Sequence, residues 1–538
     1  MITTNSLPQT FNRRVVQAAL IGNKPVHLAH AIADHPWVDS ADGAAVRISM
    51  TVGAAGAGEG ELRRVTRETP LSDGSAEVEF NARRGIVHAD LRVGANVAAA
   101  QALQANADIS SPGLKLHGAG FIVTSDQAVL LGLWSVPGLD AHIREYRNGR
   151  DLTDRPRGVR VIDLFGLAAN DVRQRFPSVY QWVFDRVKPE RDQNKRAAYR
   201  DNWWVFGEPR RELRRALAGL SRYIATVETA KHRTFQFLDA SIAPDNMLIA
   251  IALPDAATLG VLSSRVHIQW ALGSGGRLGI GNDPRYNKSR CLEPFPFPDP
   301  QPALAAQIAS TAEELDAHRK RQQSLHASLT LTGMYNVLDA LRLGRPLSSK
   351  EQRTHVDGLV SVLAELHDQL DALVLQAYGW ADLSPALIGR PGGTLPWPEK
   401  PAAQAEAEEE LLTRLVKLNA ERSAEEARGL VQWRRPEYQQ RTAASSVQTE
   451  IETERESVVA PTSATKRPWP KDSPAQAKAL ADLLAETPAS LSLDEIAARF
   501  SAQGRWRERL GPLLDVLVVL GKAQVDRAEA PKRFRRGS

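Results

Sequence analysis

The stretch RYIATVETAKHRTFQFLDASIAPDNMLIAIA, Arg222–Ala252, places strand-like segments on either side of a short basic run. Segments rich in β-branched and aromatic residues, bounded by turn residues, are typical of strands. The basic run Lys231, His232 and Arg233 falls at the turn between two of them, where side chains can face a groove in a partner. We therefore predict an α+β domain here, with these three residues as its first candidate binding residues.

The charge around this stretch indicates the kind of partner. The chain has a formal net charge of only +5, but Arg186–Arg233 contains 13 Lys and Arg residues against 6 Asp and Glu. A local excess of cations suits a polyanion, although a solvated helical face gives the same count. Aromatic residues are interleaved with the cations, which suits phosphate contacts combined with apolar base contacts. Packing in a core is the alternative for most of these rings, which are Trp203, Trp204, Phe206, Tyr223, Phe235 and Phe237.

Further candidate contact residues follow in the sequence. Arg265 and His267 lie in SSRVHIQW, which has a helical pattern, so half of that segment must be buried. Others lie on a glycine-rich to extended stretch where a backbone can approach DNA closely. Arg and Lys can pair with guanine and Asn with adenine, while a surface salt bridge is the alternative for any single residue. The candidates on the extended stretch are Arg277, Arg285, Tyr286, Asn287 and Lys288.

The N-terminal region has the pattern of part of an open α/β sheet. MITTNS resembles a buried strand, and a helix is predicted over Thr10–Leu20. Strands are predicted over Pro25–Ala33 and Ala44–Val52, separated by the turn-rich DHPWVDSADG. The glycine-rich residues 52–60 suggest a nucleotide loop, but the alternating strand pattern of Glu61–Glu68 replaces the helix such a loop requires. We predict a flexible hairpin connection there.

The rest of the chain divides into segments with different patterns. We predict an alanine-rich helix over residues 95–108, a strand over Gly118–Ser125 and a helix near Ile143–Tyr146. Five prolines in Pro294–Pro302 mark a boundary, because proline lacks an amide donor and has a fixed φ. Residues 303–345, 350–380 and 401–430 have helical periodicity, and the polar residues 441–468 form a linker. The last segment resembles a winged helix, a fold that binds DNA or docks proteins.

Composition excludes several classes of protein. A chain of 538 residues predicts three or four domains. A single cysteine, Cys291, excludes an internal disulfide framework and a cysteine-based zinc site. Asp34, His35 and Asp39 around Trp37 are too crowded in one loop to make a good metal site, so no metal is expected. Without a membrane-spanning or signal segment in the sequence, we expect a cytoplasmic protein with no membrane partner.

Seven ordered blocks carry a resemblance to a known family, large bacterial adenine-specific DNA methyltransferases of the MmeI-like or type IIG restriction-modification group. The blocks span nearly the whole chain. The resemblance is specific because all seven blocks occur in the same order as in the family. The blocks are ITTNSLPQTFNRRVV (Ile2–Val16), DHPWVDSADGAAVRISMTVG (Asp34–Gly53), the opening stretch (Arg222–Ala252), LGVLSSRVHIQWAL (Leu259–Leu272), RYNKSRCLEPFPFP (Arg285–Pro298), LHDQLDALVLQAYGW (Leu366–Trp380) and LNAERSAEEARGLVQWRRPEYQ (Leu418–Gln439).

The resemblance implies a multidomain α/β plus α fold. Residues 1–148 would be the C-terminal part of the catalytic α/β domain, with a partial Rossmann-like methyltransferase sheet. Residues 149–300 would be the α+β target recognition domain and 301–440 a helical module. Residues 441–470 would be the linker and 471–538 the winged-helix-like unit. The resemblance also implies DHPW as a loop beside the active site.

The resemblance further implies double-stranded DNA as partner, S-adenosyl-L-methionine as cofactor and methyl transfer to adenine N6. Such enzymes use a Phe-x-Gly-x-Gly loop for the cofactor and an (Asn/Asp/Ser)-Pro-Pro-(Tyr/Phe/Trp) tetrapeptide for the flipped base. Neither motif occurs in this sequence; the nearest tetrapeptide, Asp283–Tyr286, has Arg in place of the second proline. We therefore expect no catalytic residue in this chain and assign no cofactor-binding residue. A separate N-terminal methyltransferase half is expected as a partner. The alternatives are a non-enzymatic DNA specificity subunit that recruits a modification partner, and an interaction scaffold.

Overall fold

The computed structural model describes residues 1–4, 7, 13–37, 46–70, 76–278, 283–397, 399–440, 467–470, 473–486, 491–501, 510–519, 523–526 and 533–536. The chain forms two compact units, Met1–Thr442 and Ala443–Ser538. Most of the predicted linker, residues 441–466, lies outside the described residues. The predicted boundaries at 148 and 300 remain predictions within the first unit.

The N-terminal region forms a five-stranded sheet with one helix. Its strand order is β1-β3-β2-β4-β5, and among these pairings only β2 with β4 is parallel. A small core of Val16 from the helix and Leu28, Ala31 and Leu62 from the strands joins them. The elements are β1 (Ile2–Thr4), α1 (Arg13–Ile21), β2 (Val26–Trp37), β3 (Val46–Ala55), β4 (Gly60–Pro70) and β5 (Ala76–Gly85).

Two predicted connections in this sheet are wrong. DHPW is not a loop, because Asp34–Trp37 completes β2, with His35 opposite Ile48 and Trp37 opposite Val46. A bulge between Ile32 and His35, with Asp34 at φ 60°, restores the pairing. The glycine-rich segment leads into a strand as predicted, but it is not a hairpin connection. It crosses from β3 to the opposite side of β2, where β4 pairs in parallel.

The predicted helix over residues 95–108 is also wrong. The segment contains only two short 3₁₀ turns, Val97–Ala99 and Gln104–Asn106. Side chains from residues 409–426 satisfy its backbone instead. The amide of Gln101 donates to Asn419 Oδ1 at 2.9 Å, and the amides of Gln104 and Ala105 donate to the Glu426 carboxylate at 2.7 and 2.8 Å. These distant acceptors replace the carbonyls of a helix.

Residues 110–217 form a small mixed lobe. A sheet of order β12-β8-β9-β7, to which the later strand β12 (Ala243–Pro244) belongs, packs against short helices, with Phe121, Val161 and Val183 buried in the core. Strands in this range are β6 (Ser110–Pro112), β7 (Ile122–Val123), β8 (Ile143–Arg147) and β9 (Arg160–Ile162). The helices are α2 (Ser125–Leu130), α3 (Gly149–Thr153), α4 (Ala169–Arg175), α5 (Pro177–Arg186), α6 (Lys188–Asp192), α7 (Ala197–Asp201) and α8 (Arg211–Leu217).

Two predictions in this lobe need correction. The residues near Ile143–Tyr146 form a strand rather than a helix, because Ile143 and Glu145 pair with Ile162 and Arg160 of β9. The strand predicted over Gly118–Ser125 is limited to Ile122–Val123. Both segments are too short for local periodicity to decide their structure, so tertiary pairing decides it.

The opening stretch forms a second sheet, of order β11-β10-β13-β6, as its strand-like pattern predicts. Two helices follow it, and a two-stranded hairpin follows the helices. The elements are β10 (Arg222–Val227), β11 (Gln236–Asp239), β12 (Ala243–Pro244), β13 (Leu248–Ile251), α9 (Ala256–Ser263), α10 (Arg265–Ser274), β14 (Gly276–Leu278) and β15 (Asp283–Arg285).

The predicted helical segments are confirmed. They pack against the second sheet in one continuous core, which includes Phe235, Trp270, Phe295 and Leu370. The proline-rich segment thus supplies core residues between the sheet and the helices. The helices are α11 (Pro302–Leu325), α12 (Leu331–Arg342), α13 (Ser349–Asp357), α14 (Val360–Ala377), α15 (Ser384–Leu387) and α16 (Ala402–Ala427).

In the part of the second unit that the structure describes, three helices and short strands pack around Trp469, Leu480, Ile496 and Leu514. Its three-stranded sheet has the order β17-β20-β19, and β16 pairs with β18. The winged-helix assignment remains a prediction. The elements are β16 (Arg467–Pro468), α17 (Ser473–Glu486), β17 (Leu491–Ser492), α18 (Leu493–Ala498), β18 (Phe500–Ser501), α19 (Leu510–Val519), β19 (Ala523–Asp526) and β20 (Arg533–Arg536). Across the described ranges, no helix has the length and apolar character needed to cross a bilayer.

Candidate functional site

The turn after β10 is fixed to the hairpin strand β15, which brings several predicted contact residues together. Thr229 forms a bridge with Arg285, and the amide of Tyr286 donates to the carbonyl of Glu228 at 2.7 Å. Lys231 and Arg285 therefore belong to one connected surface, although they are 54 positions apart in the chain.

Five of the ten predicted contact residues are buried. Their side chains make structural contacts here and offer no accessible surface for DNA, so direct contact by them has no support from their placement. Each is 5% exposed or less: His232, Arg233, Arg265, His267 and Tyr286.

Arg233 holds the turn and the hairpin together. Its guanidinium donates to the carbonyl of Pro284 at 2.9 Å, to Thr226 Oγ1 at 3.1 Å and to the carbonyl of Val227. Desolvation by complete burial lowers the pKa of Arg233 to about 10, so the side chain is still a cation at neutral pH. Its hydrogen bonds go to main-chain carbonyls and to the Thr226 hydroxyl, so the side chain has a structural role between the turn and the hairpin.

Arg265 and His267 have comparable roles on α10. The amide of Arg265 donates to Asp371 Oδ1 at 2.7 Å, and its guanidinium donates to the carbonyls of Arg390 and Pro391. His267 Nε2 lies 3.0 Å from the hydroxyl of Tyr286. Burial is the largest cause that lowers the pKa of His267, to about 3, so this imidazole is neutral at physiological pH.

The remaining predicted residues keep contact with solvent, apart from one whose side chain is not described. Lys231 is exposed, and its Nζ donates to Asn336 Oδ1 at 2.6 Å. Arg285 is half-exposed and its Nε donates to the Glu228 carboxylate at 2.7 Å, while Lys288 Nζ donates to Glu293 at 2.6 Å. Asn287 is partly exposed. Arg277 lies on β14 opposite Pro284, and its side chain is outside the described residues.

A cleft of about 400 Å³ opens beside Lys231. Its cations are Arg150 and Lys231, and its carboxylates are Asp154 and Asp245. The Tyr146 hydroxyl and the Met247 amide both donate to Asp245, which holds that carboxylate in place. The lining residues are Asn148, Gly149, Arg150, Thr153, Asp154, Val227, Thr229, Ala230, Lys231, Asp245, Met247 and Thr332.

Sequence reasoning missed the part of the cleft contributed by residues 148–154. The Asn148 side chain caps α3 by accepting from the Asp151 amide at 3.2 Å, and Asp151 accepts from the Asn148 amide at 2.8 Å. The sequence NGRD at 148–151 carries this capping signal. It identifies a helix start, but it gives no indication that Arg150 lines the same cleft as Lys231.

The predicted aromatic contacts mostly belong to cores. Trp203, Phe206, Tyr223, Phe235 and Phe237 are all at least nine-tenths buried, so packing is their role in this structure. Within the basic block, Arg186 instead stacks on the ring of Trp182 at 3.6 Å from the centroid. The alternative of core packing, left open by the sequence, describes these five rings.

The glycine-rich segment does not fit a cofactor loop. A Cβ at Gly60 would lie 1.8 Å from the carbonyl oxygen of Leu28, and one at Gly58 would lie 2.7 Å from the His27 ring. The glycines therefore allow the crossing over β2, and a strand follows rather than a helix N-terminus. In the described parts of the chain, no group of three or more metal-ligating side chains is placed to hold an ion.

Comparisons with known proteins place the fold. No family model and no curated protein matches the chain. A solved structure of the type IIL restriction-modification enzyme MmeI in complex with DNA matches with a TM-score of 0.55 at 17% identity, over 79% of this chain and 49% of that one. The type IIG restriction endonuclease BpuSI matches with a TM-score of 0.25 at 12% identity, over 71% and 47%. The fold is thus similar to that of MmeI, and the chain spans about half of its length.

Proposed function

We propose that this chain is the DNA-recognition part of a site-specific adenine-N6 DNA methyltransferase of a restriction-modification or phage-defence system, acting in the cytoplasm. The observation that carries the proposal is the fold similarity to MmeI, whose structure was solved with DNA. The seven ordered sequence blocks, which lie between Ile2 and Gln439, resemble the same family.

The surface around the cleft supplies the contacts. Lys231 and Arg150 present cations at its rim, and Arg285 follows on the strand fixed to the same turn. Exposed cations of this kind bind phosphates and release counterions from DNA, which gives salt-dependent affinity. Glu228 orients the Arg285 guanidinium, whose fork geometry allows bidentate contact with guanine. We propose Lys231, Arg285, Asn287 and Lys288 as the DNA contacts, with Arg277 as a further candidate.

Methyl transfer in this proposal requires machinery from a separate N-terminal half. Neither the Phe-x-Gly-x-Gly loop nor the proline-proline tetrapeptide occurs in the 538 residues. S-Adenosyl-L-methionine would supply the methyl group, and the partner half would hold it. The residues of this chain would present the duplex and fix its register, which phosphate contacts do.

Equilibrium binding to duplex DNA at several salt concentrations tests the proposal. We expect binding that weakens steeply with salt. The magnitude of the negative slope of log affinity against log salt should decrease by about 0.9 for each phosphate contact removed. Lys231→Ala should reduce the slope, whereas Leu430→Ala, at an exposed apolar position, should leave it unchanged. If the chain does not bind DNA, or binds it independently of salt, the alternative of a protein-interaction scaffold is favoured. Labelled S-adenosylmethionine should not bind the isolated chain.

The alternative is a non-enzymatic DNA specificity subunit that recruits a modification partner. The absence of both catalytic motifs from this sequence favours it as the second candidate. Co-expression with a polypeptide that carries the two motifs, followed by mapping of methylated adenines, separates the two. Site-specific adenine methylation that requires both chains supports the split enzyme, whereas DNA binding without methylation in any such combination supports the specificity subunit.

A further inference from the structure

Two neighbouring side chains of the β10–β11 turn converge on one oxygen atom. Lys231 Nζ lies 2.6 Å from Asn336 Oδ1, and His232 Nε2 lies 3.0 Å from the same atom. Asn336 belongs to α12, more than 100 residues later in the chain. The helical segment therefore contributes directly to the geometry of the cleft.

The orientation of the Asn336 amide follows from its neighbours. A lysine ammonium can only donate, so the atom facing it must be the amide oxygen rather than the nitrogen. The same oxygen faces His232 Nε2, which must therefore carry a hydrogen. Burial lowers the pKa of His232 to about 4, so the imidazole is neutral at pH 7 and its Nδ1 accepts from the Thr394 hydroxyl at 2.8 Å. Thr394, His232 and Asn336 form a chain of hydrogen bonds that ends at Lys231.

We propose that Asn336 is a positioning residue that holds the Lys231 ammonium at the rim of the cleft for contact with a DNA phosphate. This inference rests on the proposed function. Asn336 itself does not touch DNA; it acts through Lys231. The Thr394–His232 pair fixes the amide in turn, because His232 is 5% exposed and has partners on both ring nitrogens.

The chemistry of the acceptor distinguishes Lys231 from its neighbours. Arg285 and Lys288 are held by the carboxylates of Glu228 and Glu293, which cancel much of their charge. Lys231 donates to a neutral amide instead, and among the described residues no carboxylate forms an ion pair with it, so more of its charge remains available to a phosphate. A lysine has a flexible four-carbon stem, and ordering it before binding removes part of the entropic cost of the contact.

Three variants test this role through the salt dependence of duplex binding. Asn336→Ala should weaken binding about threefold to tenfold, the cost of ordering one flexible side chain on binding. Its salt slope should stay at the wild-type value, because the lysine is still present. Asn336→Asp keeps the acceptor but pairs Lys231 with a carboxylate, so the slope should fall by about 0.9, as in Lys231→Ala.

The double variant Asn336→Ala with Lys231→Ala should bind as Lys231→Ala does, because Asn336 acts only through the lysine. Gln323→Ala is the matched control: Gln323 also joins the helices to the cleft region, donating to the Asp154 carbonyl at 2.7 Å, but it does not touch Lys231. It should bind as wild type.

Circular dichroism first establishes that all the variants are folded. Additive losses in the double variant, or an unchanged salt slope in Asn336→Asp, would then overturn the inference. If the wild-type chain shows no salt-dependent DNA binding, the proposed function itself fails. A wild type that binds while the Asn336 variants bind equally well refutes only the positioning role.

Discussion

Replacing His267 by Gln should make the first unit less sensitive to acid. Burial lowers the pKa of His267 to about 3, against about 6.5 for an unfolded histidine. The folded pKa is depressed, so this contribution to stability is fully present above pH 6.5 and is lost as the pH falls toward 3. Between pH 7 and pH 5 the loss from this residue is about 2 kcal/mol. His267→Gln retains a polar group for Tyr286 and removes the titration.

Urea unfolding followed by tryptophan fluorescence at pH 7 and pH 5 measures this loss, because Trp270 lies on the same helix and is fully buried. The drop in unfolding free energy between the two pH values should be smaller in His267→Gln than in wild type by about 2 kcal/mol. His326→Gln is the control, since its side chain is 37% exposed and stays in contact with water. An equal drop in His267→Gln and wild type would refute the reasoning.

Three further changes test the buried polar contacts. Asp371→Ala should destabilise the first unit by about 1–3 kcal/mol in urea unfolding at pH 7, because the buried amide of Arg265 loses its acceptor while the guanidinium keeps Glu408. Asn419→Ala should cost about 2–3 kcal/mol in the same assay, since the amide of Gln101 and the carbonyl of Pro294 lose their partner. Burial raises the pKa of Asp339 to about 6, so the carboxylate disfavours folding above pH 6 and stability is recovered as the pH falls toward 4. Asp339→Asn should therefore stabilise the fold at pH 7.5 by about 2–3 kcal/mol, with little effect at pH 4. No change, or a change of opposite sign, in any of these measurements would contradict the corresponding assignment.

Sequence patterns predicted the long elements of the fold. Helical periodicity over residues 303–345, 350–380 and 401–430 corresponds to α11–α14 and α16, because a long amphipathic pattern leaves one face to bury. The alanine-rich residues 95–108 failed because their backbone partners lie on α16, more than 300 residues away. Helix propensity is a weak prior when distant side chains supply the hydrogen bonds.

The candidate site was only partly predictable. Within Lys231, His232 and Arg233 the sequence identifies the turn, but only Lys231 is exposed. Partners that bury the other two, Thr394 and Pro284, come from separate parts of the chain. A basic residue in a sequence is ordinarily taken to be on the surface, and an arginine satisfied by main-chain carbonyls breaks that expectation.

The buried and exposed members of the basic set have different consequences when they are changed. Arg233 joins the turn after β10 to the hairpin, and Arg265 joins α10 to α14, so their removal should act on stability first. Lys231 holds its charge at the surface, so its removal should act on DNA affinity and its salt slope. A loss of DNA binding in an Arg233 variant is therefore evidence for contact only if folding is unchanged. The salt slope separates the two cases, because misfolding lowers the active fraction without changing the number of phosphates that the remaining protein contacts.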